Sequence, residues 1–88
     1  MPSRKYLPLT PDDVVRVLKA LGFEHKRTRG DHAQWEGTVK GLRRVSTVQL
    51  IRGEYSEGRM KRIIENLGLT AEEFYQADSK IAKRYFGH

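Results

Sequence analysis

At 88 residues the chain has the length of one domain with a small core. It holds no cysteine, which excludes disulfides, thiolate nucleophiles and cysteine–zinc sites together and fits a reducing compartment. The formal net charge is +6 and one-sided: residues 1–44 carry ten Lys/Arg against five Asp/Glu, residues 45–88 seven against six, a field that favours a polyanion such as nucleic acid.

Residues 1–9 read as an irregular arm. The opening MPSRKYLPLTPDD lacks the apolar stretch of a signal peptide, and no run approaches the ~20 apolar residues of a membrane span. The expectation is a soluble cytoplasmic protein. TPDDVVRVLKALGF then predicts a helix over about residues 11–21. Thr10 is its N-cap, Pro11 its first residue, and Asp12 and Asp13 complement the positive end. Val14, Val15, Leu18 and Leu21 make the apolar stripe, and Gly22 ends it.

Phe23 to Arg29 reads as a strand with one wet face, and Gly30 supplies a turn or bulge. Asp31 to Glu36 reads as its hairpin partner. Alternation puts Ala33 and Trp35 on one face and His32, Gln34 and Glu36 on the other. Tryptophan belongs in the core, which sends His32 to the open face. His25 shares the parity of Phe23 and reads as a half-buried structural histidine.

GTVKGLR reads as a loop with two glycines, and RRVSTVQLI, from Arg43, as a third strand rich in β-branched residues. Its facing is ambiguous, because Val45 and Val48 fall on opposite sides. RGEYSEG is a turn-rich connection. Ser56 caps a second helix, GRMKRIIENL, whose buried stripe is Met60, Ile63, Ile64 and Leu67. A third helix opens at Leu69-Thr70, with Thr70 and Glu73 at capping-box spacing and Phe74, Tyr75, Ile81 and Tyr85 as its contacts. Three antiparallel strands with helices on one face make a two-layer α+β sandwich with a free sheet face.

TPDDVVRVLKALGFEHKRTRGDHAQW resembles the opening of HicA-type (YcfA-like) toxins: a helix ending in Gly-Phe, a strand, then a Gly-Ser-His turn into the second strand. GRMKRIIENLGLTAEEF resembles their last helix and the turn after it. The matching points are Gly22-Phe23, Gly30-x-His32 and Leu67-Gly68-Leu69-Thr70-x-Glu72-Glu73-Phe74, over about Asp12 to Phe74. The resemblance implies a double-stranded-RNA-binding-like fold, α-β-β-β-α, in one domain over 1–88. Its core spans about 10–74, with a helical extension over about 71–86. It also implies a ribonuclease toxin that cleaves mRNA and is neutralised by a HicB-like antitoxin, with which it can form a hetero-oligomer. The family's catalytic histidine falls on His32. Asp31 stands where the family turn has serine, and Leu50 and Ile51 lie where a further histidine is often found.

Physical chemistry can be set beside that resemblance. RNA carries its own nucleophile, the 2′-OH, so a protein need only move protons and offset charge on the phosphate. Histidine suits the proton step. No metal or other cofactor is needed, and His25, His32 and His88 lack metal-like spacing. Lys26, Arg27, Arg29, Arg43 and Arg44 are candidate phosphate contacts, with Gly30 in the turn that presents His32. Lys61 and Arg62 face either the same ligand or water. Asp31 either repels phosphate or holds His32 protonated or oriented. The alternatives are an RNA-binding module of the same fold without catalysis, and a protein-interaction module with a basic face.

Overall fold

The computed structural model describes residues 5–87; Met1–Arg4, the first four residues of the predicted arm, and His88 lie outside the described residues. The order is α1 (Pro11–Ala20), β1 (Glu24–Arg29), β2 (His32–Val39), β3 (Leu42–Gln49), α2 (Glu57–Asn66), α3 (Ala71–Tyr75) and α4 (Ser79–Phe86). The strands form one antiparallel sheet in the order β1-β2-β3. This is the expected α+β architecture of the double-stranded-RNA-binding type.

Caps set the helix ends. Thr10 accepts the Asp13 N–H, and Asp13 returns a carboxylate to the Thr10 N–H. Thr70 and Glu73 close the same reciprocal box on α3, and Ser56 caps α2. Each such cap satisfies N–H groups that have no partner within the helix.

α1 and α2 both pack on β3. Between helices and sheet lie Val14, Val17, Leu18, Ala33, Trp35, Val39, Val48, Met60, Ile64 and Leu67, all buried. Burying each large side chain is worth about 1.5–3 kcal/mol. β1, one of the two edge strands, has no buried residue.

Three expectations are corrected. GTVKGLR is not a loop: β2 runs on to Val39, and only Lys40 and Gly41 turn the chain, both in the left-handed region at φ 51° and 81°. That pair of positive φ values suits a two-residue hairpin. Gly37 lies within β2, where the Phe23 ring occupies the space of a side chain; a Cβ there would come within 2.5 Å of Phe23 Cδ1. Phe23 itself precedes β1 and is buried. Finally, the third helix is two helices. Asp78 caps the second, accepting the N–H groups of Lys80 and Ile81. Val48 resolves the ambiguous facing of β3: it is buried, and Val45 is exposed.

The C-terminal helices close the fold against the segment before α1. The Tyr75 hydroxyl donates to the Leu7 carbonyl at 2.7 Å and Tyr85 to that of Lys5 at 2.7 Å. Their rings stack at 4.1 Å. Arg84 pairs with Asp13, and Arg16 with Asp78, each at 3.0 Å. Ala71, Phe74, Tyr75 and Ile81 belong to the same buried cluster as α1 and α2.

Candidate nucleic-acid interface

Strand register decides which charged residues meet. Across β1 and β2, Arg29 pairs with His32, Thr28 with Ala33 and Arg27 with Gln34. Lys26 is then an extra residue, a bulge, after which His25 pairs with Trp35 and Glu24 with Glu36. Across β2 and β3, His32 pairs with Gln49 and Gln34 with Thr47. The face opposite Trp35 therefore carries Arg27, Arg29, His32, Gln34, Thr47 and Gln49 together. The first five line a shallow pocket of about 190 Å³.

His32 is exposed at the turn end of this face. Gly30 takes the turn at φ 58° with open space where its Cβ would be, so backbone conformation rather than crowding calls for glycine there. His32 Nδ1 lies 2.7 Å from Asp31 Oδ1. The Asp31 backbone is fixed as well, its carbonyl accepting the Leu50 N–H at 2.6 Å. A hydrogen bond from Gln49 to the Asp31 carboxyl, with the neighbouring His32, holds its pKa below the ordinary 3.8, so Asp31 is ionised at neutral pH. An ionised carboxylate only accepts, so its closeness favours a proton on Nδ1. The other ring nitrogen, Nε2, has no hydrogen-bond partner among the described residues.

The predicted basic set does not stay together. Arg27 and Arg29 flank His32, and neither has a carboxylate partner among the described residues; Arg27 Nε donates to Gln34 Oε1 at 2.9 Å. Lys26 and Arg43 lie around a second pocket, of about 290 Å³, toward the other end of the sheet. There Lys26 pairs with Glu24 at 3.3 Å and Arg43 with Glu36. Arg44 falls on the helix side, opposite Gly37 in register, with its guanidinium against Gly68 beyond α2 and its Nε enclosed without a hydrogen-bond partner. Lys61 and Arg62 are exposed on α2, in the helical layer.

His25 is exposed rather than half-buried, as is every residue of β1. Its ring still meets the edge of Trp35 at 5.4 Å, and its Nε2 lies 2.7 Å from Thr28 Oγ1. His88 lies outside the described residues. Among the described residues no three His, Asp or Glu side chains gather as a metal site would need, and no helix is long and apolar enough to cross a membrane.

Three residues of the site were absent from the sequence reading. Gln49 ends β3 beside His32, Thr47 precedes it on the same face, and Arg59 in α2 donates to Gln49 Oε1 at 2.6 Å. A two-residue turn at Lys40-Gly41 would have revealed the first two, since it fixes every pairing between β2 and β3.

The fold is a double-stranded-RNA-binding-like sandwich whose free face carries a histidine and two arginines without a carboxylate partner among the described residues. The profile of the family described as "HicA toxin of bacterial toxin-antitoxin" matches residues 11–69, so the chain belongs to the HicA toxins of bacterial toxin–antitoxin systems, whose members are paired with an antitoxin. No curated protein matches the chain.

Proposed function

We propose that the protein is a metal-independent endoribonuclease that cleaves mRNA in the cytoplasm, with His32 as its general acid/base. The observation that carries this reading is the shared pocket of His32, Arg27 and Arg29 on a sheet face that no helix covers. His32 Nε2 takes the proton of a ribose 2′-OH. The 2′ oxygen attacks the adjacent phosphorus, and the bond from phosphorus to the 5′ oxygen breaks. The leaving oxygen takes a proton from water, and the imidazolium later returns its own. The products are a 2′,3′-cyclic phosphate and a 5′-hydroxyl. Arg27 and Arg29 hold the phosphate and offset the charge that develops on it. A HicB-like antitoxin would silence this chemistry by covering the same open face.

The test is cleavage of single-stranded RNA by purified protein in EDTA. His32→Ala should lower the rate by at least about 10²-fold, the contribution of one placed acid or base, with the circular dichroism spectrum unchanged. Cleavage that survives the substitution overturns the assignment. Salt-sensitive RNA binding with no shortening of the RNA would instead favour a binding module.

A further inference from the structure

The open face holds a chain of polar contacts that the proton-transfer step does not by itself require. It begins in the helical layer. Arg59 Nη2 donates to Gln49 Oε1 at 2.6 Å. Gln49 Nε2 faces Asp31 Oδ2 at 3.5 Å, the longest link. Asp31 Oδ1 lies 2.7 Å from His32 Nδ1. Three backbone contacts hold the links in place. The Tyr55 hydroxyl donates to the Gln49 carbonyl, the Leu50 N–H donates to the Asp31 carbonyl, and Gln49 is the register partner of His32.

The chain has a direction, because its first member can only donate. A guanidinium has five N–H donors and no acceptor. It therefore turns the Gln49 carbonyl toward itself and the Gln49 NH₂ toward Asp31. A carboxylate that accepts from Gln49 on one oxygen keeps the other for His32, and an ionised carboxylate calls for a proton on Nδ1. In a neutral imidazole one nitrogen bears the proton and the other accepts. Nε2 is then the acceptor, pointed at the open face.

Resting on the ribonuclease reading above, we infer that Asp31, aligned by Gln49 and Arg59, is a positioning residue that keeps His32 in the Nδ1–H form with Nε2 free to take the 2′-OH proton. The acid where the family turn has serine thus has work to do at the site. Its side chain is 58% exposed and that of His32 53%, so the contact strengthens once bound RNA displaces water from the face.

Asp31→Asn separates geometry from charge. Gln49 still presents its NH₂, so the new side chain turns its carbonyl toward Gln49 and its own NH₂ toward Nδ1. Nδ1 becomes the acceptor, and the proton moves to Nε2. Nitrogen-15 spectra of histidine-labelled, RNA-free protein at about pH 8.5, where imidazole is neutral, read this directly. The wild type should show His32 as Nδ1–H and Asp31→Asn as Nε2–H. Arg59→Met, which frees the Gln49 amide to rotate, should give a partial shift in the same direction. With RNA, Asp31→Asn should lower kcat by roughly 10–100-fold and leave KM nearly unchanged, the pattern of a wrong tautomer rather than lost binding. A wild-type His32 in the Nε2–H form, or a tautomer unmoved by Asp31→Asn, overturns the inference. Unchanged cleavage by His32→Ala would overturn the ribonuclease reading instead, and the RNA-free spectra would still decide what Asp31 does.

Discussion

The two hairpins share β2 but obey different constraints. β2 and β3 pair through eight consecutive residues without interruption, from His32–Gln49 to Val39–Leu42. β1 and β2 lose register at Lys26. The difference follows from what lies behind each strand. Helices α1 and α2 rest on β3, so a slip of one residue there would turn Val48 and Ser46 out of the core and bring Val45 and Thr47 in. β1 has no buried residue, so a bulge costs it no buried packing. The bulge also has a use. It lets His25 and Thr28, three apart, share the Trp35 side while Arg27 and Arg29 stay on the His32 side. Packing fixes one hairpin, and the other is free to carry charge.

The sharpest way to test that contrast is within β2, on neighbouring residues. Trp35→Ala removes a buried ring between α1 and the sheet and should cost about 3–5 kcal/mol. Gln34→Ala, next to it on the open face, should stay within about 0.5 kcal/mol. Urea unfolding of both variants measures the gap. A Gln34 effect as large as the Trp35 effect would mean that the open face is structural after all. A smaller loss is expected at the seam between the hairpins. Gly37→Ala places a methyl against the Phe23 ring, where a Cβ has no room. Overpacking of this kind costs about 1–3 kcal/mol, and Phe23→Leu in the same chain should recover part of it.

Much of this contrast was legible in the sequence, and the part that was not has a physical cause. Trp35 alone, taken as a core residue, placed His32 on the open face by alternation, and Thr10 and Thr70 announced their caps through side chains that bond locally. The β2–β3 turn was hidden by its neighbour. Gly37 looks like a loop glycine, but it is there because Phe23 fills its side-chain space, a contact between residues fourteen apart. Lys40, which does turn, is not a residue that advertises a left-handed backbone. With that turn missed, the pairing of His32 with Gln49 could not be read, nor the reach of Arg59 to Gln49. The expected half-burial of His25 also failed, and nothing in the sequence put Arg44 on the helix side. Parity finds the side of a strand, but it cannot tell that a bulge will intervene, that every residue of β1 stays exposed, or that Arg44 will lie against Gly68. The break between α3 and α4 had a usable signal in Asp78 ahead of Ser79, an N-cap residue inside an apparently continuous helix.

The smallest expected effect concerns acid, and it sets the helical layer against the open hairpin. Burial of Asp13 opposes its charge, but Arg84 and the Thr10 N–H and hydroxyl outweigh that and hold its pKa below the ordinary 3.8. A carboxylate whose pKa is lower folded than unfolded binds fewer protons in the native state. Its contribution is complete above the unfolded value and is lost as pH falls through the folded one. Asp13→Asn should therefore be less stable than the wild type at pH 7, by no more than about 1 kcal/mol for an acid in the first turn of a helix. The difference should close as pH falls below 3.8. Asp31 has a lowered pKa as well, but its partners are Gln49 and His32 at the hairpin end, and none of them ties the sheet to α1 or α4. Asp31→Asn should thus shift the melting temperature less than Asp13→Asn at pH 7. Melting curves of the two variants and the wild type between pH 7 and pH 3 make the comparison. An Asp31 variant that loses more stability than the Asp13 variant would place part of the fold's acid sensitivity in the hairpin, and the division between a packed hairpin and a charged one would have to be redrawn.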